Sequence, residues 1–219
     1  MEFISGIIDF ILHIDKHLVE ITTEYHKLTY LILFLIVFCE TGLVVTPFLP
    51  GDSLLFAAGS IAALDSSPLN VLVLSLIFFL AAFTGDNSNF FIGKFLGHKV
   101  YEKNYRLIRK EYLDRTHAFY EKHGGKTVII ARFIPIVRTF APFVAGVGGM
   151  RYARFILFSM FASLLWIGVF VTAGYQFGQL EVVKRNFSLI TLGIILVSVL
   201  LIIIGFVRSR MQKAIGNRQ

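Results

Sequence analysis

The sequence predicts an all-α, polytopic membrane protein, and two observations carry this prediction. Hydrophobic residues make up 56% of the 219 positions and charged residues 16%, and the mean hydropathy is +0.72. A soluble domain of this composition would lack a wettable surface. Long apolar runs are also separated by short polar turns and by groups of Lys and Arg. Because no Pro/Ser-rich linker divides the chain, we expect a single membrane domain over residues 1–219.

The basic residues predict sidedness in the membrane and not a nucleic-acid partner. The net charge of +7 comes from Lys and Arg at the ends of apolar runs, where the positive-inside rule places them in the cytoplasm. We therefore expect residues 94–126 and the C-terminus to be cytoplasmic. Cys39 is the single cysteine, so an intramolecular disulfide is excluded.

The first half of the chain predicts an amphipathic helix, a hairpin and a span. Residues 1–27 place apolar side chains at helical spacing between charged ones, as an interfacial helix does. Residues 28–93 hold the first hairpin and a span. Either Leu28–Val45 crosses the membrane, or Leu28–Leu64 is one re-entrant hairpin with its tip at Pro47–Asp52. We favour the hairpin, because the polar turn that closes it, Asp65–Pro68, lacks Lys and Arg.

The second half predicts a cytoplasmic segment, a second hairpin and two spans. The span that begins at Leu69 is long enough to reach Ile92, and Gly93 and Gly97 then allow a close helix approach. Residues 94–126 form an amphipathic cytoplasmic segment, residues 127–178 a hairpin plus a span, and residues 187–207 the last span. With the C-terminus in the cytoplasm, two spans return the chain to that face. Thr127–Met150 must then enter and leave on the same side.

Two arginines mark the second hairpin as the candidate functional site. Arg132 and Arg138 lie in an otherwise apolar run, although a guanidinium at mid-bilayer costs about 2.5–3.5 kcal/mol. Pro135 and Pro142 remove backbone donors, so we expect them to break the helix. Irregular backbone at membrane depth must be covered by protein or by a watery cavity. The run therefore predicts a polar pocket within the membrane.

The two halves also suggest an inverted repeat. Each consists of an apolar arm, a proline-containing tip, an arm of small residues and a long span, an arrangement that secondary transporters use to bind substrate at the midplane. The first hairpin carries the acids Glu40 and Asp52, and the second carries the arginines. Four unpaired charges would cost on the order of 10 kcal/mol, so we expect them to meet. Residues expected to support the site are Asp86, Pro47, Pro50, Gly51, Pro135 and Pro142.

The residue types suggest a division of labour. Paired arginines fit the oxygens of a phosphate and stay protonated, so Arg132 and Arg138 are the expected phosphate ligands. Glu40 and Asp52 can change charge and are the expected proton-coupling groups. No nucleophile with an adjacent base accompanies the arginines, so we expect neither an enzyme nor a cofactor. His13 and His17 lie one turn apart without a third ligand, so we expect no metal site.

A resemblance to known proteins extends over nearly the whole chain and rests on four stretches, Phe38–Phe56, Gly85–Gly97, Tyr112–Lys126 and Ala131–Gly148. These stretches closely resemble the DedA family, bacterial inner-membrane proteins of the VTT-domain superfamily. The resemblance implies proton-motive-force-dependent transport of a phosphate-bearing lipid such as undecaprenyl phosphate, in support of envelope homeostasis. The family's functional residues fall on Glu40, Asp52, Arg132 and Arg138. Alternatives are a proton-coupled exporter of small cations or drugs and a phospholipid scramblase. The implied partners are membrane lipids and protons, and the sequence leaves homo-oligomerisation open.

Overall fold

The computed structural model describes residues 28–42, 51–65, 67–103, 124–181, 183 and 193. These residues form six helices and no strand. Several predicted features lie outside them, namely the N-terminal helix (1–27), residues 104–123 of the cytoplasmic segment, nearly all of the last span (187–207), Pro47 and Pro50. In chain order the helices are α1 Leu28–Gly42, α2 Gly51–Ala62, α3 Val71–Lys103, α4 Lys126–Arg132, α5 Pro135–Val147 and α6 Tyr152–Phe177.

Two of these helices, α3 and α6, are long and apolar enough to cross a membrane. Helix α3 begins after Asn70, whose Oδ1 accepts the backbone N–H groups of Leu72 (2.9 Å) and Val73 (3.2 Å) and so caps the first turn. The helix continues beyond the predicted end at Ile92 to Lys103. The predicted amphipathic segment thus begins as part of the same helix.

Helices α1 and α2 are short over their described residues. They contain 15 and 12 residues, or about 22 and 18 Å, against about 30 Å of hydrocarbon. Helix α1 runs alongside α3 in the same direction. Near its start, the Tyr30 hydroxyl accepts the N–H of Asn70 at 2.8 Å, and at its end Gly42 packs against Gly85.

The chain breaks between α4 and α5, but not where both prolines predict. Ile134 is extended (φ −116°, ψ 104°), as expected before a proline, and Pro135 takes the first helical position, where no N–H is needed. The expectation that Pro142 also breaks the helix is wrong, because α5 continues through it. A proline inside a packed membrane helix removes only one backbone bond, here to the Arg138 carbonyl. The break in the chain is therefore at Phe133 and Ile134.

The short helices pack closely on the long ones through glycines. The expected close approach at Gly93 is confirmed, because a Cβ there would overlap the backbone of α5, and Gly146 of α5 is similarly close to α3. Gly59 of α2 and Gly174 of α6 form the corresponding contact. The main apolar core lies between α1, α2, α3 and α6, and includes Leu33, Leu55, Phe78 and Trp166.

Candidate functional site

Five charged side chains are buried where the short helices meet the long ones. Arginines and acids in an apolar interior need partners, and none of these residues is more than 7% exposed. Glu40 lies in the last turn of α1, Asp52 in the first turn of α2, Asp86 in α3, Arg132 at the end of α4 and Arg138 in α5. These groups are three carboxylates and two guanidiniums, so the acids outnumber the bases by one.

The Arg138 cluster, defined as Arg138, Glu40 and Asp52, joins the two predicted hairpins. Nη1 of Arg138 lies 2.5 Å from Oδ1 of Asp52, and Nη2 donates to Oε1 of Glu40. The structure thus brings together three of the four charged residues selected from the sequence. Both terminal nitrogens of this guanidinium are bound by carboxylates.

Gly51 allows Glu40 to reach the start of α2. The Gly51 N–H donates to Oε1 of Glu40 at 3.2 Å, and a Cβ at this position would overlap the Glu40 carboxylate. Asp52 follows in the first turn of α2, where the partial positive charge of the helix N-terminus favours an acid. Any side chain at Gly51 would therefore displace Glu40 from its partners.

The Arg132 cluster consists of Arg132, Asp86 and Ser159. Nη1 of Arg132 lies 2.5 Å from Oδ2 of Asp86, and the Ser159 hydroxyl donates to the same oxygen at 2.6 Å. The four selected charges therefore do not form one group: Arg132 pairs with Asp86, a residue predicted only to support the site. The chain break after α4 separates the two arginines, because α4 packs on α6 while α5 packs on α3.

Trp166 links the two clusters. The Cζ atoms of Arg132 and Arg138 each lie 4.9 Å from the centroid of its ring, within cation–π range, and its Nε1 donates to Oδ1 of Asp52 at 2.7 Å. Sequence reasoning missed this residue. A signal existed: the only tryptophan of the chain lies inside a span, away from the interfacial belt, with Ser159 and Ser163 at helical spacing before it.

Asn89 of α3 binds both α1 and α5, and sequence reasoning missed this residue too. Its Nδ2 donates to the carbonyl oxygens of Thr41 (3.2 Å) and Thr139 (2.5 Å), in α1 and α5. It is fully buried, one turn from Asp86. A polar residue at this spacing in an apolar span was the signal that could have identified it.

The chemistry of the site is ionic and acid–base. In the part of the chain that the structure describes, no group of three or more His, Cys, Asp or Glu side chains is placed to hold a metal ion. The guanidiniums can bind an anion if the carboxylates release them. The carboxylates can exchange protons, and protonation of one acid would balance the charge of the five groups.

Comparisons with known proteins identify relatives of this chain. The VTT domain family matches residues 49–176, which include four of the five charged residues. The chain is 53% identical to Protein DedA of Escherichia coli over 211 residues, 96% of each chain. It is 43% identical to an uncharacterized membrane protein of Mycobacterium tuberculosis (77% of this chain, 74% of that one) and 34% identical to Inner membrane protein YqjA of Escherichia coli (86% and 87%). No solved structure gives a significant match.

Proposed function

We propose that this chain, which belongs to the DedA family of membrane proteins, moves a phosphate-bearing lipid such as undecaprenyl phosphate across the bacterial inner membrane. One observation carries the proposal: Arg132 and Arg138 are buried together in a chain whose described residues include two apolar spans. Guanidiniums bind phosphate oxygens in bidentate fashion. Only the headgroup needs shielding from hydrocarbon, so the acyl or prenyl chain stays in the bilayer. The protein acts as a transporter and breaks no bond.

Protons drive the movement through the Arg138 cluster. Arginine keeps its charge, whereas Glu40 and Asp52 can be neutralised. Protonation from the outer side would free Arg138 for the headgroup, and deprotonation on the inner side would restore the ion pairs and displace it. Inward movement of lipid is thereby coupled to inward movement of protons.

Repeated glycine contacts support an inverted repeat. In α2–α6 and in α5–α3, a glycine of the short helix packs against residues i and i+4 of the long helix. A glycine of the long helix then packs against the residue three positions before the first glycine. The two sets are Gly59 against Val171 and Tyr175 with Gly174 against Phe56, and Gly146 against Phe90 and Lys94 with Gly93 against Phe143. An internal two-fold axis between the halves accounts for this correspondence.

The ends of the short segments support two re-entrant hairpins. Helix α1 begins beside Asn70 at the start of α3, and α2 ends shortly before that residue, so both ends of the first segment lie at the same end of α3. Gly125, just before α4, packs against Phe158 near the start of α6, and α5 ends shortly before α6 begins. Basic residues lie on the side of the membrane where the second hairpin begins and ends. That side and the C-terminus are therefore cytoplasmic.

Single cysteines in a Cys39→Ser background test this topology. Leu28→Cys and Asp65→Cys replace exposed residues at the two ends of the first hairpin, and Lys126→Cys replaces the residue at the start of the second hairpin. We expect an impermeant thiol reagent to label the first two from outside and Lys126→Cys from inside only. Labelling of Leu28→Cys and Asp65→Cys from opposite sides would show that the first segment crosses the membrane.

Transport itself is tested in proteoliposomes. The purified chain should move fluorescent undecaprenyl phosphate between leaflets, and Arg132→Ala and Arg138→Ala should abolish this movement. Arg151→Ala, at an exposed arginine outside both clusters, is the matched control and should retain it. The excess of acids favours a second candidate, export of small cations. Proton-driven transport of ethidium with no movement of the lipid would support that candidate and reject the first.

A further inference from the structure

The guanidinium of Arg132 has one edge without a partner. Its Nη1 is held by Asp86, but Nε and Nη2 have no hydrogen-bond partner in the described part of the chain, although the residue is only 3% exposed. Buried donors of this kind are rare in folded proteins and require an explanation. An arginine stays protonated, so these two N–H groups are permanent donors.

Arg138 differs at the same atoms. Its Nη1 and Nη2 are both bound by carboxylates, and only Nε is unpartnered. Bidentate recognition of a phosphate requires two parallel N–H groups on one edge of the guanidinium plane, and the Nε and Nη2 groups form such an edge. Arg132 presents this edge while its ion pair is intact. Arg138 cannot present a complete edge until a carboxylate leaves.

The surroundings of Arg132 hold this edge in place. Asp86 Oδ2 accepts from both Nη1 of Arg132 and the Ser159 hydroxyl, which fixes the carboxylate behind the guanidinium. The Trp166 ring lies 4.9 Å from Cζ and so occupies a position against the guanidinium itself. Ser163 lies between Ser159 and Trp166 on the same face of α6, and its buried hydroxyl also lacks a partner in the described residues. The Ser163 hydroxyl is therefore a further donor on the face of α6 that carries Ser159 and Trp166.

Resting on the proposed function, we infer that the Nε–Nη2 edge of Arg132 is the first binding site of the phosphate monoester, and that it is occupied while Arg138 remains paired with Glu40 and Asp52. Binding at this edge does not require those carboxylates to be protonated. Arg138 joins the phosphate only in the later, proton-dependent step. The two arginines therefore act in sequence.

The test compares matched lysine substitutions in the purified full chain. Lysine keeps the charge and can still pair with the carboxylates, but it lacks the planar fork. At mildly alkaline pH, which disfavours protonation of the acids, Arg132→Lys should weaken equilibrium binding of radiolabelled farnesyl phosphate about tenfold or more, the expected loss for a charged hydrogen bond. Arg138→Lys should change it less than about threefold. Because Trp166 is the only tryptophan, its fluorescence should respond to farnesyl phosphate, but not to farnesol, in the wild type and in Arg138→Lys.

Two serines keep the test decisive if Arg132→Lys does not fold. Ser163→Ala removes the further donor on this face of α6 and should weaken binding about threefold. The control is Ser53→Ala, which removes a buried hydroxyl of α2 that also has no partner in the described residues and should leave binding unchanged. An equal or greater loss in Arg138→Lys, or equal effects of the two serine variants, would overturn the order of binding and leave the proposed function in place. A wild-type chain that binds farnesyl phosphate no better than farnesol would overturn both.

Discussion

The Arg138 and Arg132 clusters both pair a guanidinium with carboxylates, but different helices supply those carboxylates. Arg138 draws its partners from α1 and α2, so its ion pairs involve only short helices. Arg132 is held by Asp86 of α3 and, through that carboxylate, by Ser159 of α6. Both α3 and α6 are long enough to span the membrane. Movement of the short segments relative to each other would therefore separate Arg138 from its acids, although Asp52 is also held by Trp166 of α6. The second is anchored to the spans.

The number of carboxylates sharpens the contrast. Arg138 has two acids, one more than its charge requires, whereas Arg132 has one. Adding a proton to the Arg138 cluster balances its charge, whereas adding one to Asp86 would leave Arg132 unbalanced. A proton-dependent step is thus expected at Arg138, and a constant positive charge at Arg132.

The largest difference between the clusters should be in stability. Arg138→Ala leaves two buried acids without their cation, and breaking a buried pair typically costs about 3–5 kcal/mol. Arg132→Ala leaves only Asp86 unpaired. We expect Arg138→Ala to lower the thermal unfolding temperature in detergent more than Arg132→Ala does. The reverse order would show that the extra carboxylate of the Arg138 cluster is already neutral in the folded protein.

Compensating substitutions should identify the partners individually. Neutralising the acids with Glu40→Gln and Asp52→Asn should recover about 2 kcal/mol of the stability lost in Arg138→Ala, since the buried charges disappear. Asp86→Asn should do the same for Arg132→Ala. The crossed combination, Arg138→Ala with Asp86→Asn, is the control and should recover nothing. Recovery there, measured by the same unfolding assay, would mean that the clusters form a single network.

The smallest expected effect is at Trp166, which touches both clusters. Trp166→Phe keeps a ring beside the guanidiniums but removes the N–H that donates to Asp52, a loss of about 1–2 kcal/mol. Trp166→Leu also removes the cation–π contact and should cost more. A double-mutant cycle with Asp52→Asn should show coupling for Trp166→Phe, and one with Asp86→Asn should not. Equal coupling to both acids would remove the distinction between the clusters.

The sequence predicted the class of protein and the charged residues, but not how the charges pair. Composition and apolar runs sufficed for an all-helical membrane chain, and Pro135 located the break between α4 and α5 to within a turn. The prediction of a break at Pro142 was wrong, because the packing of α5 against α3 tolerates one missing backbone hydrogen bond. Asp86 was predicted only to support the site for a related reason. Contacts such as those of Gly85 and Gly93 determine which way the polar face of α3 points, and the partners in these contacts lie far away in the sequence.

Trp166 and Asn89 could not be assigned because their partners come from other segments. Trp166 is contacted by residues from α2, α4 and α5, and Asn89 binds carbonyl groups of α1 and α5. Helical spacing shows which face a residue occupies but not what covers that face. Such positions are found only when the packing of the helices is known.

The pH dependence of transport tests the central claim, that the Arg138 cluster responds to protons and the Arg132 cluster does not. The measurement is the rate at which fluorescent undecaprenyl phosphate enters proteoliposomes as the external pH is lowered, for the wild type and for the double variant Glu40→Gln, Asp52→Asn. We predict that the wild-type rate rises as the pH falls, since protonated carboxylates release Arg138, and that the double variant transports at a rate independent of pH. A double variant that follows the wild-type profile would contradict the account.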